Sequence, residues 1–197
     1  MAESRDGACN IVFDDGSAVK SDIVVLALGD EVDFNLIARS GLEFDEKHGG
    51  VVANGELQVV SDVWAAGDCV SFYDVNLGLR RRVAHSDHAN MSGIVAARNM
   101  MGAKSLYKHL PVEFGIVAGV EWEGCGLLDA SLDTLSFFDE AAGDYEKGMV
   151  YYLEDGAVVG ALAVNLPGKM DYCKKLVSYG VPIEDRDEAI NLIYLGQ

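Results

Sequence analysis

Residues 62–68 read Asp62-Val63-Trp64-Ala65-Ala66-Gly67-Asp68, a short apolar run that closes on a glycine and a carboxylate. A strand that ends this way puts an acid at the tip of a buried element. The glycine beside it has no Cβ, so a ligand can approach the backbone. An ionised Asp only accepts hydrogen bonds, which suits it to gripping hydroxyl groups where Ala or Leu would not. The same residues also read as a strand end whose Asp caps the next turn. Working outward, Ile23-Val24-Val25-Leu26-Ala27-Leu28 is apolar on both faces, the pattern of a buried parallel strand, and stops at Gly29. Residues 9–13 form an earlier strand before the turn Asp14-Asp15-Gly16, residues 35–40 a short helix ending at Gly41, and Asn54-Gly55 a turn within 51–60. Downstream, 87–101 has a helical pattern, with Ala89, Ile94, Val95, Ala97 and Met100 as its apolar positions and Gly102 as its stop. Residues 149–153 and 157–164 flank Asp155-Gly156 as a hairpin. A helix over 169–178 precedes Gly180 and Pro182, and 185–195 suits a last short helix.

The chain has 197 residues with 15 Lys plus Arg against 32 Asp plus Glu, a net charge of −17, and half of its residues are apolar. That apolar content excludes a disordered acidic tail. A chain this long buries roughly 70% of its unfolded surface when it forms self-contained domains. Residues 1–109 carry 10 basic and 16 acidic side chains (−6), and 110–197 carry 5 and 16 (−11), so the best internal boundary lies near 110. Neither half offers the basic face that DNA binding needs. No apolar run approaches the roughly 20 residues of a membrane helix. The start, MAESRDGACN, has neither a secretory nor an import pattern. Cys9, Cys69, Cys125 and Cys173 lie too far apart for a CxxC pair or a zinc site, and read as reduced, packed thiols. His85 and His88 lie three apart on a helix but lack further ligands, so no metal site is expected. Arg80-Arg81-Arg82 is the one basic cluster and reads as a solvated loop.

The strand closing on Ala-x-Gly-Asp, followed by a helix, resembles the second flavin fingerprint of flavoprotein oxidoreductases with two dinucleotide-binding domains. Tyr73-Asp74, Leu77-Gly78, the run Arg80 to Ala89, Ser92-Gly93 and Asn99-Met100-Met101-Gly102 narrow this further. They resemble the apoptosis-inducing factor family, and the hairpin around 145–165 is similar to that family's C-terminal domain. The resemblance implies an α/β and α+β architecture: the returning half of an FAD-binding Rossmann-like domain plus a C-terminal α+β domain with an antiparallel sheet. Residues 1–30 would end an NAD-binding domain, 31–109 form the second segment of the FAD-binding domain, and 110–197 the C-terminal, dimerisation-type domain. Strand faces meant for the missing halves would be exposed, paired by another chain or rearranged.

For the site, the resemblance implies that Gly67 and Asp68 hold the ribityl chain of FAD. His85 would lie by the flavin ring and nicotinamide, and Gly29 would pack against NAD. The helix after Asp68 would aim its positive end at the flavin pyrimidine. Ser86 joins these cofactor-binding positions, although it replaces a second histidine. Ala84 replaces an acidic residue, Glu113-Phe114 replaces an aromatic-Trp pair, and Val32 replaces a proline. No residue is assigned as catalytic. The Arg triplet would take a dimer-face or cofactor-proximal role.

No G-x-G-x-x-G follows a strand, and Gly124-Cys125-Gly126 lacks the third glycine, so the usual pyrophosphate cradle is not in this chain. Two functions are compatible with these features. One is the C-terminal part of an FAD-dependent NAD(P)H oxidoreductase, mitochondrial by family, with a role in programmed cell death. It would pair with itself, with a missing N-terminal half or with other proteins, but not with DNA. The other is a cofactor-free truncated module that acts through its acidic C-terminal domain.

Overall fold

The computed structural model describes residues 2–5, 8–139, 141–143 and 146–183. The expected helix over 185–195 lies outside them. The chain divides into two compact units, Met1–Glu31 and Val32–Gln197.

In the first unit, β1 (Ala2–Arg5), β2 (Ala8–Val12) and β3 (Ala18–Ser21) form an antiparallel meander. Its second turn closes through Gly16, at φ +82°, whose N–H donates to Phe13 O at 3.0 Å. The run 23–28 departs from the buried strand expected of it. It forms no strand, and Val25 and Leu28 are 83% and 89% exposed. A segment apolar on both faces needs a ladder on each edge and cover on each side. Among the described residues no strand pairs with it, so it lies open, as the incomplete-sheet expectation allowed.

The second unit begins with α1 (Phe34–Ser40), capped by the Asp33 carboxylate and ended by Gly41 at φ +70°. Two cores follow. The first is built on β7 (Val70–Asp74), which pairs in parallel with β4 (Val51–Val52) and antiparallel with β8 (Leu79–Arg81). Val70 and Phe72 are fully buried there with Leu57, Val83 and Tyr107. A small hairpin of β5 (Gln58–Val60) and β6 (Val63–Trp64) leads to the Gly67 turn. The strand expected over 62–68 is thus only two residues long.

Helix α2 (Ser86–Met100) packs over this core, but not with the face its apolar residues suggest. Its buried stripe is His88, Ser92, Ala96 and Asn99, while Ile94 and Met100 are exposed. The stripe works because its polar members, His88, Ser92 and Asn99, are each hydrogen-bonded. Asn99, for example, donates to Glu56 O and Ser105 O, both at 2.8 Å, and accepts from Ser105 N–H.

The second core lies under an antiparallel sheet in the order β11 (Asp133–Phe138), β12 (Gly148–Glu154), β13 (Ala157–Val164), β10 (Val120–Gly126), β9 (Val112–Val117). Tyr151, Ala161 and Cys125 are opposite one another across three strands and share the face covered by α3 (Met170–Tyr179). Cys173, Leu176 and Val177 fill it from the helix side. The small Ala161 and Ala163 leave room for that approach. Burial pushes the Cys125 and Cys173 thiols up to about 12, so both stay protonated, inert core residues.

The Arg triplet joins these parts and is not a solvated loop. Arg80 donates to Ala53 O at 2.8 Å and Ser71 O at 2.7 Å; Arg82 donates to His48 O and Asp68 O, each at 3.1 Å. Arg81 is 7% exposed and donates from Nε to the buried Asp74 at 2.9 Å and from Nη1 to Gly126 O at 2.8 Å. Gly126 adopts φ +81°, and a Cβ there would meet Val159 O at 2.2 Å. The Gly124-Cys125-Gly126 stretch is therefore a packing device that delivers a carbonyl to Arg81. Replacing Arg81 with Met leaves Asp74 buried and unpaired, and should cost about 3–5 kcal/mol. Urea unfolding followed by Trp fluorescence measures this, and Arg81→Met with Asp74→Asn should recover part of the loss.

Candidate functional site

The Gly67 turn is set by what surrounds its backbone. Gly67 sits at φ +75°, where a side chain would be strained, and its N–H donates to Ser92 Oγ at 2.9 Å. Its carbonyl accepts from Val70 N–H and closes a one-turn 3-10 helix, Gly67–Cys69. Asp68 is exposed, and among the described residues its carboxylate has no hydrogen bond or ion pair. Only its backbone is held, by Arg82. A charged acceptor with its lone pairs free, beside a buried glycine, is suited to vicinal hydroxyls.

The N-terminus of α2 meets this turn where Ala89 packs on Gly67. His85 is its N-cap in extended conformation, and Nδ1 accepts from Asp87 N–H at 3.3 Å. Its Nε2 meets the Phe114 backbone, 3.2 Å from the amide nitrogen, whose N–H donates to it, and 3.3 Å from the carbonyl oxygen. Phe114 stands edge-on to the ring, with centroids 4.4 Å apart, and is 53% exposed. Ser86 is the exposed first residue of the helix, and Ala84 before it is exposed as well. A fifteen-residue helix presents a partial positive charge at this end. Gly67, Asp68, His85 and Ser86 thus gather at one helix end. Gly29 lies in the first unit, exposed at φ +103°, with no atom within 4 Å of where a Cβ would stand.

Two features of the site carried no sequence signal. Asp87 accepts from His109 Nε2 at 2.7 Å and from Val112 N–H at 2.8 Å, tying α2 to the start of β9 and so bringing Phe114 to His85. Burial works against its charge, but the Val112 and His109 hydrogen bonds win, so its carboxyl sits below the usual range. The second is His88, fully buried beneath Gly67. It stacks on Phe72 at 4.8 Å, and Nδ1 lies 2.9 Å from Tyr107 Oη. Beside Phe114, Trp122 and Glu123 line a cavity of about 210 Å³.

Burial pulls the His88 imidazole down to about 4, with the Gly67 carbonyl opposing. The unfolded chain takes up this proton near 6.5 and the folded chain only near 4. Stability from this group is therefore full above 6.5, falls as the pH drops through that window, and is lost below 4. The loss is on the order of 3 kcal/mol. An NMR titration of the His88 ring should show a midpoint near 4, alongside an acid loss of unfolding free energy that begins near 6.5.

Residues 2–93 match the pyridine nucleotide-disulphide oxidoreductase family. The chain is similar to that family over this stretch, just under half of its length. It is 36% identical, over 94% of its length, to apoptosis-inducing factor 1, mitochondrial, of Dictyostelium discoideum, and covers 36% of that protein. In fold it is similar to the ferredoxin reductase for the CYP199A2 system of Rhodopseudomonas palustris, with a TM-score of 0.82 and 20% identity, over 100% of this chain and 48% of that one. The reductase of a covalent putidaredoxin reductase–putidaredoxin complex gives a TM-score of 0.75 at 21% identity, over 96% and 45%. The chain spans about a third of the length of the apoptosis-inducing factor it matches.

Proposed function

We propose that this chain supplies the sugar-alcohol grip, the helix end and the C-terminal domain of an FAD-dependent NAD(P)H oxidoreductase resembling apoptosis-inducing factor. The observation that carries this is Asp68: an exposed carboxylate without a partner among the described residues, on a glycine turn at the N-terminus of α2. Residues 1–30 would close the NAD-binding domain, 31–109 return to the FAD-binding domain, and 110–197 form the C-terminal domain.

The donor set fits one part of FAD and not another. Asp68 would accept from ribityl hydroxyls, and the α2 N-terminus would favour negative charge on a flavin ring. Nothing in the sequence supplies the glycine-rich turn that cradles a pyrophosphate. When bound, FAD supplies the hydride acceptor. Toward it, His85 meets the Phe114 backbone through Nε2 and keeps the Phe114 ring at the helix end. His85 is thus an orienting residue.

No paired cysteines accept electrons, so a further protein or small acceptor takes them. The relative's name supports a mitochondrial setting and a role in programmed cell death. Among the described residues no helix is long and apolar enough to cross a membrane.

Flavin absorbance and fluorescence of the purified chain mixed with FAD test the reading. Asp68→Ala should weaken binding about tenfold or more, the value of a charge-assisted hydrogen bond. A wild-type chain that retains no flavin would favour the cofactor-free module. Duplex DNA should give no gel shift at ~150 mM salt and low micromolar protein, because every Arg of the triplet is engaged within the chain.

A further inference from the structure

The buried stripe of α2 runs directly beneath the Gly67 turn, and Ser92 on that stripe bonds the turn's backbone. Ser92 Oγ donates to His88 O at 2.6 Å and accepts the Gly67 N–H at 2.9 Å. A hydroxyl used in both directions has a fixed rotor, so the Gly67 amide is anchored to the helix 25 residues away. The His88 ring is clamped as well, stacked on Phe72 and bonded through Nδ1 to Tyr107 Oη. Its other nitrogen, Nε2, is buried with no partner in hydrogen-bond geometry. A buried orphan of this kind is costly and calls for a reason.

The reason lies in the turn. The Gly67 carbonyl spends one lone pair on Val70 N–H and keeps a second. It is also the backbone group that favours a proton on the His88 ring. A Tyr107 hydroxyl that donates to Nδ1 leaves the proton on Nε2.

We propose that His88 and Ser92 are positioning residues that hold the Gly67 peptide from both ends, Ser92 Oγ on its N–H and His88 Nε2–H against its carbonyl, and so set the direction of the Asp68 carboxylate. That Asp68 meets sugar hydroxyls rests on the function proposed above; that these two side chains aim it does not. His88 is thus the buried counterpart of His85. One ring orients the open end of the helix, and the other supports the turn from below.

The test uses the intact chain and NMR. Long-range ¹⁵N correlations report which His88 nitrogen is protonated, and amide exchange reports the hold on Gly67. The Nε2–H form is expected in the wild type. Ser92→Ala should speed Gly67 exchange by about tenfold or more. His88→Phe keeps the stacking but removes the N–H, and should shift the Asp68 signals. His88→Gln, which restores an N–H at the same reach, should return those signals towards the wild type. An Nδ1–H tautomer would overturn the proposal, as would Asp68 signals unmoved in His88→Phe at an unchanged thermal midpoint. FAD titration of the same variants separates the two claims. If the wild type takes up no flavin while the exchange pattern holds, the ligand reading fails and the positioning stands.

Discussion

Arg81 is the member on which the second unit depends. Its guanidinium meets Asp74 on β7 and the Gly126 carbonyl on β10, so one cation joins a strand of the first core to a strand of the second. Taking both charges out of water is costly, and the Coulombic return depends on geometry. Here the geometry comes from neighbours that have no choice. Gly126 cannot carry a side chain against Val159, and Asp74 also fixes the next turn by accepting from Asn76 N–H at 2.9 Å. Arg80 and Arg82 bracket this contact and close backbone carbonyls of the first core. Three adjacent arginines thus serve three different gaps, and none is left as a basic patch.

Helix α2 carries that arrangement into the candidate site. Four consecutive residues divide the work: His85 caps and meets Phe114, Ser86 stays open, Asp87 reaches His109 and Val112, and His88 goes under the turn. Residues three or four apart share a helix face, so Ser92 continues the line from His88 to Gly67. The C-terminal sheet is held to the same helix end through β9. Movement of that sheet would therefore be felt at His85 first, because Phe114 and Val112 are both on its edge strand.

Contiguous features were legible in the sequence. The Asp155-Gly156 hairpin and the Gly41 and Gly180 helix stops rest on local chemistry and stand as read. What depended on distant partners was not legible. The period of α2 was clear from its apolar residues, but the face it buries is polar, because Glu56, Ser105, Tyr107 and Gly67 satisfy it from elsewhere. Asp87 and His109 have no local reason to meet. The Arg triplet read as solvated because charge argues for exposure unless partners are known. Conversely, residues 23–28 read as buried because apolar runs argue for cover, and among the described residues no strand provides it.

Strand β9 is the outer strand of the five-stranded sheet, and it carries Phe114, Ile116 and Val117 with more than half of their surface open. Among the described residues no strand pairs with its outer edge, and such an edge with apolar side chains is a template for stacking one molecule on another. Glu121 and Glu123 stand beside Ile116 and Phe114 on the neighbouring strand, and the molecule as a whole carries −17. Two copies approaching through this edge must therefore bring like charges together. The acidity of the chain serves as colloidal protection for a surface its own residues leave bare, a protection that added salt or a fall in pH towards 4.4 would remove.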